Sequence, residues 1–153
     1  MERITSFTID HDVLVPGFYI SRKDGDITTY DLRTRRPNKG DYMSNADMHS
    51  VEHMFATYIR NSEIADSVIY FGPMGCQTGF YLLVRDVEPK KVFQITKEVL
   101  SQIIAHEGEV FGASAAECGH YENLDLEIAK EECQTYLAVL EKQTNMEFSY
   151  PTK

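Results

Sequence analysis

Ser67-Val68-Ile69-Tyr70-Phe71 and Phe80-Tyr81-Leu82-Leu83-Val84 are two apolar runs parted by Gly72-Pro73-Met74-Gly75-Cys76-Gln77-Thr78-Gly79. Each run is short, rich in β-branched and aromatic residues, and reads as a buried strand. The connector packs three glycines and a proline into eight residues, which specifies a tight and unusual backbone path. Upstream, Asp26–Arg33 alternates. Thr28, Tyr30 and Leu32 share one face; Thr29, Asp31 and Arg33 share the other. Asp31 and Arg33 therefore point the same way, either towards a site or into solvent. Val13–Ile20 is apolar but contains Pro16-Gly17, so it reads as an interrupted or edge strand.

Three helices fit around these strands. Ala46–Asn61 places Met48, Val51, Phe55, Tyr58 and Ile59 at helical spacing, with Ser44 or Asn45 as a cap. Pro89–His106 begins with a proline suited to the first turn and ends before Gly108. Leu124–Lys142 carries the stripe Leu126, Ala129, Cys133, Leu137 and Leu140, with Asp125 and Glu127 at its positive end. Glu109–Gly119 reads as a strand or loop. The tail from about residue 144 is expected to be loosely held. This order predicts an α+β fold: an antiparallel sheet with helices packed against it, a single two-layer domain over residues 1–153.

Composition narrows the function. The chain has 153 residues, enough for one domain with its own core and no need of disulfides. Its formal net charge is −9, which argues against nucleic acid and anionic membrane as partners. No apolar run reaches membrane-spanning length. Met1–Ser6 lacks the basic-then-apolar order of a signal peptide. Cys76, Cys118 and Cys133 are odd in number and widely spaced, which suits free thiols in a reducing cytoplasm.

The sharpest chemical feature is His49-Ser50-Val51-Glu52-His53, an H-x-x-E-H pattern on an expected helix. Residues four apart stand one turn above each other, so two imidazoles can share one divalent metal. Glu52 flanks them and can move protons. A catalytic metal usually takes a third protein ligand; Cys118, Cys76, His106, His120 and His11 are the candidates. A thiolate ligand would suit Fe²⁺, Co²⁺ or Zn²⁺ and disfavour Mg²⁺ or Ca²⁺. Cys76 lies in the Gly-rich turn, where backbone N–H groups can support a thiolate acid/base or nucleophile. Cys133 falls on an apolar helix stripe and reads as core.

Taken together, the chain resembles S-ribosylhomocysteine lyase, the LuxS family of autoinducer-2 synthases. The resemblance runs from Ser6 to about Lys142. It is carried by Ser6-Phe7-Thr8-Ile9-Asp10-His11, Asp31-Leu32-Arg33 with Pro37-Asn38, His49 to His53, Pro73 to Tyr81, and Glu117-Cys118-Gly119. It implies a metal on His49, His53 and Cys118, usually Fe²⁺, with Zn²⁺ or Co²⁺ able to replace it. It implies acid/base roles for Cys76 and Glu52, and substrate contacts from Ser6, His11 and Arg33. It also implies a homodimer with active sites at the interface. This chain departs from the family pattern at Ser50, where Thr is common, at the basic run Thr34-Arg35-Arg36, and at Tyr70, where many members have Asp.

The expected reaction is cleavage of S-ribosylhomocysteine to homocysteine and 4,5-dihydroxy-2,3-pentanedione. Arg33 is a candidate partner for the substrate carboxylate. The alternative is an H-x-x-E-H metallopeptidase-like hydrolase, in which a downstream Glu would be the third ligand. A non-enzymatic metal-binding or sensing domain would have no use for Cys76.

Overall fold

The structure is a computed structural model that describes residues 1–153. Strands β1 (Gly17–Asp24), β2 (Ile27–Arg33), β3 (Val68–Pro73) and β4 (Gly79–Arg85) form one antiparallel sheet in the order β1-β2-β4-β3. The β1–β2 connection is a tight turn with Gly25 at positive φ. Helices α1 (Asn45–Ile59), α2 (Pro89–Ile104) and α3 (Leu126–Lys142) pack against the sheet and against one another. The α+β expectation holds.

Alternation along the strands explains the layering. Phe18, Tyr30, Leu32, Phe71, Phe80, Leu82 and Val84 turn to the helices and are buried there. Val51, Phe55, Ile59, Val92, Val99, Cys133 and Leu140 meet them from the helix side. Burying each of the large side chains contributes roughly 1.5–3 kcal/mol. The α1 start is marked by a reciprocal capping box. The Ser44 hydroxyl accepts from the Asp47 N–H, and the Asp47 carboxylate accepts from the Ser44 N–H. Asp125 caps α3 by accepting from the N–H groups of Glu127 and Ile128. Residues 109–119 contain turns and no strand.

Two expectations change. The strand foreseen across Val13–Ile20 lies at the sheet edge as expected, but it starts only at Gly17, after Pro16. The tail, expected to be loosely held, is instead packed. Phe148 is 1% exposed and sits against Phe18 and Phe93. The outer edge of β1 is hydrogen-bonded to this region. The Phe18 N–H and C=O are engaged by the Gln143 side-chain amide, and the Ile20 N–H donates to the Phe148 carbonyl.

The second face of the sheet is covered in part by the tail. Tyr150 stacks on Tyr19, and its hydroxyl donates to Asp31 at 2.7 Å. Asp31 and Arg33 are therefore buried, 0% and 1% exposed, and not a solvated strand face.

Candidate active site

Helix α1 presents His49 and His53 one turn apart, with ring centroids separated by 4.6 Å. The turn after Ser114 brings Cys118 to them. The Glu117 and Cys118 N–H groups both donate to the Ser114 carbonyl. Cys118 Sγ lies 3.3 Å from His49 Nε2, and the ligand atoms of the three residues fall within 4.8 Å of one another. The His120 N–H donates to the same sulfur. Of the five candidates for a third ligand, Cys118 is the one whose ligand atom joins those of the histidines; the His120 ring stacks 6.4 Å from that of His49 but is not in the cluster.

The outer nitrogens of the two imidazoles have partners that set their tautomers. His49 Nδ1 is 2.6 Å from Asn123 Oδ1, and Asn123 Nδ2 donates to Asn45 Oδ1. That second bond orients the amide, so the Asn123 oxygen faces His49 and accepts. His53 Nδ1 donates to the Phe111 carbonyl at 2.7 Å. Gly112 lets this loop approach; with φ +70 it has a left-handed backbone, and a Cβ there would stand 3.1 Å from His53 Nδ1. Both Nε2 lone pairs are left free to bind a cation. Two neutral imidazoles and one sulfur suit a borderline-soft divalent ion, so the donor set fits a metal.

Glu52 lies beside His53 in an open cavity of about 400 Å³ that also includes Arg60, Tyr70, Phe111 and Gly112. The Tyr70 hydroxyl falls over Gly72, and Arg60 donates to the carbonyls of Val68 and Ile69. Cys76 lies elsewhere, in a second cavity of about 380 Å³ lined by Ser6, His11, Arg33, Met74 and Tyr81 among others. The two cavities share no lining residue.

The turn carrying Cys76 is tied down on both sides. Gln77 has φ +65, its N–H donates to the Met74 carbonyl, and its side chain donates to the Met43 carbonyl. The Thr78 carbonyl accepts from the N–H groups of Thr34 and Arg35. Gly79 is required for a close approach, since a Cβ there would meet the Leu32 carbonyl oxygen at 2.8 Å. Cys76 is left exposed at the tip.

Arg33 stands behind Cys76. It binds Asp31 through both Nε and Nη2, and Nη1 donates to the Thr78 hydroxyl at 2.8 Å with Cys76 Sγ 3.9 Å away. Burial works against its charge, but the facing Asp31 carboxylate more than reverses this and raises the Arg33 pKa. Ser6 and His11 line the same cavity. His106 is bound between the Tyr58 hydroxyl and the Glu109 carbonyl. Cys133 is buried in α3, and burial, followed by the Glu132 charge, pushes its pKa to about 12.

Sequence reasoning missed Asn123, the Phe111 carbonyl and Thr78. Asn123 is 74 residues from His49, with no local pattern linking them. Thr78 lies within the Gly-rich turn, two residues from Cys76 and one position before β4.

A family model described as S-Ribosylhomocysteinase (LuxS) matches residues 4–147. The chain is 44% identical over 156 residues to the S-ribosylhomocysteine lyase of Finegoldia magna, covering 99% of each protein. It is 42% identical over 157 residues to that of Borreliella burgdorferi, covering 99% of this chain and all of the relative. With the protein of the same name from Clostridium beijerinckii, identity is 46% over 136 residues, covering 85% of this chain and 86% of the relative.

Proposed function

The chain belongs to the S-ribosylhomocysteinase (LuxS) family, and from that premise we propose that it is a carbon–sulfur lyase releasing homocysteine from S-ribosylhomocysteine. The co-product is 4,5-dihydroxy-2,3-pentanedione, the precursor of autoinducer-2. The observation that carries this reading is the convergence of His49, His53 and Cys118 beside Glu52. Cys118 also disfavours the peptidase alternative, which calls for a carboxylate as third ligand.

A thioether carbon–sulfur bond resists direct hydrolysis. It breaks readily once a carbonyl stands two carbons away, because the intervening C–H becomes acidic. A divalent ion held by His49, His53 and Cys118, Fe²⁺ by the family resemblance with Zn²⁺ or Co²⁺ also suited to the donors, would supply Lewis acidity to the sugar's oxygens. Cys76 as thiolate and Glu52 as carboxylate take protons from carbon and return them as the carbonyl moves from C1 through C2 to C3. Elimination of homocysteine as its thiolate completes the reaction without net addition of water or any external oxidant. Ser6 and His11 offer hydrogen bonds to the substrate from the wall of the Cys76 cavity. Arg33, with its fork engaged by Asp31 and Thr78, supports the sulfur from behind.

Cys76 and Glu52 open into different cavities of one chain. A site that uses both is completed by a second copy, so the working unit is a homodimer with two shared sites. Arg33 and Cys76 line one cavity and belong to the same half-site. Free Cys76, Cys118 and Cys133 suit a cytoplasmic setting. No helix is long and apolar enough to cross a membrane.

The reaction is tested by following thiol release from S-ribosylhomocysteine beside cleavage of a peptide library. Thiol release alone is expected; peptide cleavage without it overturns the reading. Refolding Cys76→Ala together with Glu52→Gln tests the shared site. Mixed dimers should regain about one site in two. No recovery, with mixed dimers demonstrated, would place both groups in one chain's site.

A further inference from the structure

The hydrogen bonds behind Cys76 run in one direction. Tyr150 donates its hydroxyl hydrogen to Asp31. Both oxygens of Asp31 accept from Arg33, which has only donors to offer. Arg33 Nη1 donates to the Thr78 hydroxyl oxygen at 2.8 Å. That oxygen already accepts, so its own hydrogen must go elsewhere. Thr78 is 2% exposed, which shuts out solvent, and its hydroxyl is 3.0 Å from Cys76 Sγ. The sulfur is the remaining partner within reach.

We propose that Thr78 is a positioning residue: its hydroxyl donates to Cys76 Sγ and holds that sulfur as an oriented thiolate at the cavity surface. The inference rests on the acid/base reading of Cys76 and deepens it. Two donors then converge on one sulfur, the Thr78 hydroxyl directly and Arg33 Nη1 at 3.9 Å. A thiolate accepts hydrogen bonds well and a neutral thiol poorly, so this arrangement favours the charged form. It also fixes where the sulfur points. The turn leaves Cys76 exposed, and an untethered side chain there would sample several rotamers. Strand β2 and the two residues that follow it supply the rigidity: Arg33 is locked by Asp31, while Thr34 and Arg35, just past the strand end, clamp the Thr78 carbonyl.

The test compares Thr78→Val, which keeps shape and removes the hydroxyl, with Thr78→Ser, which restores it. The proteins are metal-loaded and their folding is checked by circular dichroism and metal content. Thr78→Ala replaces Thr78→Val if the latter does not fold. One readout is the pH profile of Cys76 alkylation by iodoacetamide, located by peptide mapping. Other titratable groups around the sulfur are His11 of the N-terminal segment, Asp31 and Arg33 of β2, Tyr81 of β4 and Tyr150 of the tail. They are unchanged among the variants, so a displacement between profiles reports the hydroxyl. Losing one hydrogen bond to a charged group should move the Thr78→Val profile upward by about one pH unit. The second readout is turnover: kcat should fall about tenfold with KM little changed, because the hydroxyl acts on the sulfur. Thr78→Ser should restore both. Superimposable alkylation profiles for the hydroxyl-less and native proteins would overturn the proposal, as would a Thr78→Ser variant that behaves like Thr78→Val. Cys76→Ala is measured alongside. If it retains turnover, the acid/base reading falls, while the alkylation comparison still decides the bond to Thr78.

Discussion

Replacing Asn123 by Ala should weaken divalent-metal binding about tenfold while leaving the fold intact. Asn123 touches none of the expected metal's coordination positions. Its oxygen accepts from His49 Nδ1 at 2.6 Å, and its orientation is set by the 2.6 Å bond from its Nδ2 to Asn45. The pair keeps the proton on His49 Nδ1 and the lone pair on Nε2, the atom 3.3 Å from Cys118 Sγ. Without it, the imidazole can turn about its bond to Cβ and exchange tautomers. Removing such an outer partner commonly costs 10–100-fold in metal affinity. Asn123 is half-buried, so water can replace much of the lost acceptor. The lower end applies, about 1.4 kcal/mol. The assay is competition for Zn²⁺ or Co²⁺ against a chromophoric chelator. His49→Ala should lose far more, since it removes a ligand. Unchanged affinity in a folded Asn123→Ala protein would show that the amide does not set the imidazole. A loss equal to that of His49→Ala would mean that Asn123 itself is a ligand.

Cys76→Ala should bind metal normally and release no homocysteine, as read by metal analysis and thiol assay. Phe148→Ala should destabilise the protein by about 3–5 kcal/mol in urea denaturation, because the ring is buried between Phe18 and Phe93. Stability should fall as pH rises from about 9 towards 12. In the folded state burial, with a smaller push from Glu132, raises Cys133 from 9.0 to about 12. The unfolded state therefore loses that proton first, and the stabilisation is present below pH 9 and lost on the way up. Three units correspond to about 4 kcal/mol as an upper bound. Denaturation midpoints of Cys133→Ala should show a shallower alkaline decline and unchanged turnover. Buried Tyr19 and Tyr30, each pushed to about 12 mainly by burial, act in the same direction and survive in that variant.

Local chemistry made part of this molecule readable from its residues. The α1 boundaries follow from Ser44 and the apolar spacing behind it, and the same helix geometry places His49 over His53. The β3 and β4 strands follow from their apolar runs. Properties set by distant segments were not readable. Asp31 and Arg33 share a face by alternation, but only Tyr150 and Thr78, brought from 119 and 45 residues away, make that face an interior. Phe148 stands between Met146 and Tyr150 in an alternation only three residues deep, too short to announce its place in the core. The third metal ligand was open among five residues on spacing alone, since nothing local says which loop folds over α1.

The bonds between β1 and the tail, Phe18 with Gln143 and Ile20 with Phe148, join residues 125 or more apart in sequence. A ribosome delivers β1 long before Gln143 and Phe148. Until they arrive, the sheet has an open margin with unpaired amides at Phe18 and Ile20, next to a vacant aromatic slot. Such a margin is a template for another chain's strand. Nascent and partly unfolded molecules therefore share one point of vulnerability. Substitutions that loosen the tail should announce themselves first as poor soluble yield, with the purified fraction still active. A dilute or chaperone-assisted synthesis should rescue them where a higher metal supply does not.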